Sequence, residues 1–174
     1  MTEINFARTD QVRDILSVFA ELLWPAPREK MMEIATRLGW TILSETPNST
    51  RFDTGLPTNP SRGGVTIDNG HIGQVTLNLT DKLTDPDPGS VGELAASTLR
   101  FREEITDLLG EPTGVRRGTE PRYTWDLANG GRAALTSSRA VVKLIVLQKR
   151  YADIERREEG LGISESRDSE ADIV

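Results

Sequence analysis

The chain has no cysteine and only one histidine in 174 residues. The first absence excludes disulfides and thiolate chemistry and fits a reducing compartment. The second leaves little for catalytic triads or imidazole metal sites, which combine histidine with partner groups. No apolar run reaches the roughly 18 residues that argue for a membrane span. The polar, acidic start Met1-Thr2-Glu3-Ile4-Asn5 is unlike a signal peptide. A soluble, cytoplasmic protein is therefore expected. Neither GxxxxGKS/T nor GxGxxG occurs, so no phosphate cradle is announced and no cofactor is expected. Basic charge is in deficit, with 21 Lys and Arg against 27 Asp and Glu and a formal net charge of −6. That balance works against binding nucleic acid or an anionic membrane and favours a basic partner.

At 36% hydrophobic residues the chain can bury one ordinary core. The expected organisation is a single domain over residues 1–150 and a charged, partly disordered C-terminal tail over 151–174. Within the tail, Tyr151 to Glu159 is compatible with a short helix and Ser164 to Val174 with disorder.

The apolar spacing changes period at one place, and the rest of the chain can be ordered around it. Met31, Ile34, Ala35 and Leu38 share a helical face, Gly39 suits a left-handed helix end, and Trp40, Thr41 and Ile42 continue as a strand until Thr46-Pro47-Asn48. Upstream, Thr9 or Asp10 is placed to cap a first amphipathic helix carrying Val12, Ile15, Leu16, Phe19, Leu22 and Leu23. Arg51 to Thr54 reads as a short second strand and Gly55 to Gly64 as an irregular loop. Asp68-Asn69-Gly70 is the strongest local signal, a tight hairpin turn between Val65-Thr66-Ile67 and the alternating Val75, Leu77 and Leu79. Ile72 is out of phase with that alternation, which points to a bulge at Gly73. Ser90-Val91-Gly92-Glu93 has capping-box spacing and opens a long helix with a seam of Leu94, Thr98, Phe101, Ile105 and Leu108. A second hairpin follows, with Tyr123, Trp125 and Leu127 before Asn129-Gly130-Gly131 and a return through Arg132 to Thr136. Ala140 to Leu147 is apolar on both faces except for Lys143, as an interior strand requires. The order predicts an α+β fold: a mostly antiparallel sheet, two N-terminal helices and one long helix between two groups of strands.

Candidate chemistry is thin. His71 stands beside the hairpin turn and reads as an exposed turn residue. Asp53-Thr54-Gly55 spells the aspartic-protease signature, whose chemistry needs two such loops in a dimer. The usual apolar lead-in is reduced here to Phe52 after Arg51, so a strand ending in an Asp-Gly turn accounts for it more simply. Asp81, Asp85 and Asp87 lie among Pro86 and Pro88 without the spacing, central glycine or closing glutamate of a calcium loop. They read as a solvated acidic loop. Trp24, at a helix end before Pro25, is the tryptophan expected to stay partly exposed. No catalytic or metal-binding residue is assigned; the positions expected at a partner interface are Trp24, Asp53, Asp81, Asp85 and Asp87.

Trp24-Pro25, Leu38-Gly39-Trp40-Thr41, Asp53-Thr54-Gly55 and Leu109-Gly110-Glu111-Pro112-Thr113 ahead of a Trp-bearing strand form one pattern over roughly residues 20–150. It resembles a family of small actinobacterial proteins of unassigned function that look like partners of secreted polymorphic toxins. A protein of similar role and size is the immunity factor of the mycobacterial necrotizing toxin, an NAD-glycohydrolase. The resemblance implies a non-enzymatic antitoxin that binds a toxin domain, with charge complementarity to a basic cleft, and blocks its active site. The alternative is a chaperone-like or adaptor module that holds a secretion-system client on helix 1 or on the sheet.

Overall fold

The computed structural model describes residues 3–162. The elements run α1 (Thr9–Ala20), α2 (Lys30–Leu38), β1 (Thr41–Thr46), β2 (Ser49–Asp53), β3 (Arg62–Asp68), β4 (His71–Asn78), α3 (Pro88–Leu109), β5 (Gly114–Arg116), β6 (Arg122–Asp126), β7 (Arg132–Ser137), β8 (Val142–Leu147) and α4 (Lys149–Gly160). All eight strands form one antiparallel sheet in the order β1-β2-β3-β4-β8-β7-β6-β5, so the fold is α+β. Two four-strand meanders thus meet at β4 and β8, with the long α3 connecting them. No described helix is long and apolar enough to cross a membrane.

The core lies between one sheet face and the first three helices. Val12, Ile15, Leu16 and Phe19 of α1, Met31 and Ile34 of α2, and Leu94, Phe101 and Ile105 of α3 meet Phe52, Val65, Val75, Leu77, Leu144 and Val146 from the strands. Leu108, expected in the α3 seam, is 38% exposed at the helix end. Gly39 ends α2 at φ 72°, where a side chain would be strained, and the Trp40 N–H donates to the Ala35 carbonyl at 2.8 Å. That turn delivers the Trp40 ring onto Phe52, stacked at 4.4 Å between centroids and 5° between planes. Gly63 completes the contact, because a Cβ there would overlap the Phe52 ring.

The Asp68-Asn69-Gly70-His71 turn forms as the sequence indicates, with Asn69 and Gly70 at φ 50° and 77°. The bulge also falls at the expected place. Val65 faces Val75 and Ile67 faces Ile72, so Gly73 and Gln74 together oppose Thr66, whose Oγ1 accepts the Gln74 N–H at 2.9 Å.

Several expectations are corrected. Gly63 and Gly64 belong to β3 rather than to the preceding loop, and β5 is an additional edge strand. Helix α1 is not capped by the side chain of Thr9 or Asp10. Gln11 instead accepts the Arg8 N–H at 2.9 Å, while the Thr9 hydroxyl donates to Glu104 of α3 at 2.7 Å. Helix α3 starts two residues before Ser90, because Pro88 needs no partner for an N–H it lacks and Asp87 accepts from Ser90 N at 2.8 Å. The boundary drawn at residue 150 falls inside α4, which packs on the sheet, so the packed body continues to Gly160. The disorder expected for Ser164 to Val174 lies outside the described residues.

Because Phe52 is fully buried between Trp40 and the glycine of β3, Phe52→Ala is expected to cost about 3–5 kcal/mol. Urea unfolding followed by tryptophan emission measures it.

Candidate binding groove on the open half of the sheet

Alternate strand residues point away from the α1–α3 layer, and α4 covers only part of this second face. Ala152 and Tyr151 pack on Ala134, Ile145 and Leu147. A charged cluster holds the helix there. The Arg132 side chain, 3% exposed, bonds Asp126 at 3.0 Å, Glu155 at 3.0 Å and Glu159 at 2.6 Å. Arg122 reaches the same Glu155 at 2.9 Å, and Arg156 returns from α4 to Asp126 at 2.9 Å. A buried guanidinium is tolerated only when paired in this way. Burial works to lower the Arg132 pKa, but the three carboxylates outweigh it and hold the charge firmly. Burial likewise opposes ionisation of Asp126, yet the bonds from Arg132 and Arg156 keep its carboxyl below the usual range. At the start of α4 the Tyr151 hydroxyl donates to Asp68 at 3.1 Å, and burial followed by that carboxylate raises its pKa.

With α4 settled over β6–β8, no other described element covers the β1–β4 half of this face. A groove of about 600 Å³ runs over it. Its cationic lining is Arg51 of β2, Arg62 of β3, Lys143 of β8 and Lys82 from the segment after β4; no carboxylate of the described residues lines it. Thr66, Gln74, Thr76 and Asn78 supply hydroxyl and amide groups between those cations. One wall is the β2–β3 loop, where Pro60 sits.

Two of the expected interface residues build that wall instead of presenting free charge. Asp53 accepts from Gly55 N at 2.9 Å and Ser61 Oγ at 2.7 Å, closing the loop as an Asx turn. Those donors hold its carboxyl below the usual range. Asp81 accepts from Asn59 N at 2.7 Å and Asn5 N at 2.9 Å, tying the same loop to the N-terminal segment, while Lys82 N donates to the Asn59 carbonyl at 2.9 Å. Asp87 is the N-cap of α3, and Asp85 is exposed at φ 47°. The three loop aspartates therefore do not form one acidic patch. Asp53, too, sits in a turn and brings no second carboxylate with it.

Trp24 is half-buried as expected. It lines a separate hollow of about 730 Å³ between the β3–β4 turn and the outer side of α4, with His71, Arg150 and Arg157. His71 is half-buried rather than exposed, because Pro27 bridges to it at the head of β4. The apolar stripe of α1, one of the two surfaces expected to hold a client segment, is spent on the core from Val12 to Phe19; Leu22 and Leu23, expected in the same helix, lie beyond its end, and Leu23 is 83% exposed. Among the described residues no group of three or more His, Asp or Glu is placed to hold a metal.

The groove's cations were not singled out by sequence reasoning. Lys143 carried a signal, as the one break in an apolar strand, and the alternation of β4 marked Gln74, Thr76 and Asn78 as its polar side. Nothing in the sequence brought Arg51, Arg62 and Lys82 to the same hollow, since they are neighbours only across strand pairs and loops.

Removing the Arg132 head group leaves Asp126, Glu155 and Glu159 without their shared cation, so Arg132→Ala is expected to destabilise the fold by about 3–5 kcal/mol, read by urea unfolding. Asp53 tests the loop. Its depressed folded pKa means that its contribution is present above the ordinary carboxyl range near about 4 and is lost as pH falls through the depressed value. The difference in thermal midpoint between wild type and Asp53→Ala is expected to narrow on acidification below about pH 4; an unchanged difference would show that the charge is irrelevant to the loop.

Compared with known proteins, residues 10–148 match the model described as a family of unknown function (DUF6301). No curated protein matches the chain, and no solved structure does.

Proposed function

We propose that this chain, which belongs to the DUF6301 family, is a protein-binding module that holds a partner against the open half of its sheet. The observation that carries the reading is the groove: a concave surface of mixed polar and apolar lining, about 600 Å³ in volume and left open by the described residues, on strands whose other face is fixed in the core. Such a surface is preorganised, so binding does not have to order its backbone. Sheet side chains set by register also offer the fixed geometry that a specific interface needs.

Within that class our reading is an immunity factor that binds a secreted toxin domain and occludes its active site. An NAD-glycohydrolase is the toxin chemistry that the family resemblance suggests. The groove would be the contact surface, with Trp24 and its neighbouring hollow as a second candidate contact. Occlusion asks for complementarity over an area and a few well-placed anchors.

Co-purification of the full chain with the toxin-like domain encoded beside its gene, coupled to an NAD-consumption assay, tests this. A stoichiometric complex with NAD loss suppressed is the expected result. A complex that leaves NAD consumption unchanged would overturn the inhibitory role, and no complex would overturn the partner. Thr76→Tyr fills the middle of the groove without changing charge and is expected to weaken the complex by about tenfold or more.

A further inference from the structure

We propose that the groove takes an extended acidic segment of the partner protein, laid across the strands so that its carboxylates meet Arg51, Arg62 and Lys82. The inference rests on the groove being the partner surface; what it adds is the chemistry of the occupant, opposite in sign to the basic partner that the chain's net charge favours.

Register supplies the first argument. Gly63 faces Leu77, which sets Arg62 opposite Asn78, and Asn78 in turn faces Lys143. Arg62, Asn78 and Lys143 therefore form one row across three adjacent strands, with the two cations about 10 Å apart at the usual strand spacing. In the neighbouring row Arg51 faces Gly64, which faces Thr76. Gly64 brings no side chain to that row, so the floor between Arg51 and Thr76 is open to an approaching backbone. From β1 to β8 the groove spans five strands, about 19 Å, the reach of about six residues of extended chain.

Charge supplies the second. The whole chain carries −6, yet among the described residues this hollow is lined by Arg51, Arg62, Lys82 and Lys143 and by no carboxylate, and Lys143 alone of the four has a partner of its own. Among the described residues Arg51, Arg62 and Lys82 enter no ion pair. Asp53 faces Arg62 in register and its carboxyl feels that charge, but its hydrogen bonds are to Gly55 and Ser61 and it forms no ion pair with Arg62. Like charges concentrated in a concave surface focus the potential and select an occupant of opposite sign. The hydroxyls of Thr66 and Thr76 and the amides of Gln74 and Asn78 add donors for carboxylate or peptide carbonyl oxygens.

A nucleic acid strand also presents spaced anions, but the observations favour a peptide. Open sheets that take single strands stack bases on aromatic side chains, and among the described residues no aromatic ring lines this groove. The chain's overall negative charge opposes a long polyanion more than a short acidic segment.

The test titrates the full chain into fluorescein-labelled hexaglutamate, hexalysine and hexathymidylate, read by anisotropy at low and physiological salt. Hexaglutamate alone is expected to bind, more weakly as salt rises. Arg51→Glu with Arg62→Glu is expected to weaken it by about tenfold or more, as two lost and reversed surface contacts would. Lys82→Glu, in a loop outside the sheet, should give a smaller loss in the same direction and guards against misfolding of the double variant. Equal binding of hexalysine, or hexaglutamate binding unmoved by all these variants, would overturn the proposal. Tighter binding of hexathymidylate, lost in the same variants, would replace the peptide by a nucleic acid. No binding of any probe would also overturn it, while the co-purification and Thr76→Tyr still judge the partner reading on their own.

Discussion

A guanidinium shut between a helix and a sheet decides which part of this molecule is surface. Arg132 leaves water only because Asp126 beside it on the sheet and Glu155 and Glu159 on α4 meet it there. The two glutamates are one turn apart and therefore share a helix face, so satisfying one cation orients the whole of α4. The helix then covers β6–β8, where Ala134, Ile145 and Leu147 need an apolar neighbour. Strands β1–β4 carry Arg51, Thr66, Gln74, Thr76 and Asn78 into the groove, with Leu43 as the exposed apolar exception. Cover and exposure on the second face thus follow the side chains that alternate outward along each strand.

The groove also shows how far a net charge can mislead about a site. Summed over the chain, acids exceed bases by six. Many of those acids are engaged: Asp53 and Asp81 in loop hydrogen bonds, Asp87 at a helix start, Asp126, Glu155 and Glu159 around Arg132. Carboxylates are good hydrogen-bond acceptors and are drawn to exposed backbone N–H groups and buried cations. Here that leaves a local excess of positive charge in one concavity. Global electrostatics governs long-range approach, whereas the lining of the concavity governs what fits inside it.

Two loops illustrate the same division of labour. Asp53-Thr54-Gly55 has the letters of a catalytic motif and the geometry of a turn, with Thr54 also donating to the Ser61 carbonyl at 2.6 Å. The segment from Asp81 to Asp87 looks like one acidic patch in the sequence, yet its members face three different tasks: a loop tie, an exposed left-handed position and a helix cap. Residues close in sequence are dispersed by the backbone turns between them, and residues far apart are gathered by strand pairing.

Local rules were enough for much of the fold. The Asn69-Gly70 turn, the bulge at Gly73, the left-handed end of α2 at Gly39 and the interior character of β8 each depend on a few contiguous residues whose conformational preferences are strong. The α+β class followed from their order. Short-range information did not suffice for β5, a three-residue edge with one pairing neighbour, or for the docking of α4, whose charged sequence resembles a solvated tail until Arg132 is placed beneath it. The candidate groove was least legible of all. Its four cations come from β2, β3, β8 and a loop, at positions 51, 62, 143 and 82, and only the antiparallel register and the one-sided cover of α4 bring them to a common surface. By itself the sequence determined the elements and the polar face of the strands, because those are set by neighbours in the chain. Which charges share a hollow, and which are already spent, was decided by tertiary structure, because ion pairing and burial depend on distances that no spacing in the chain encodes.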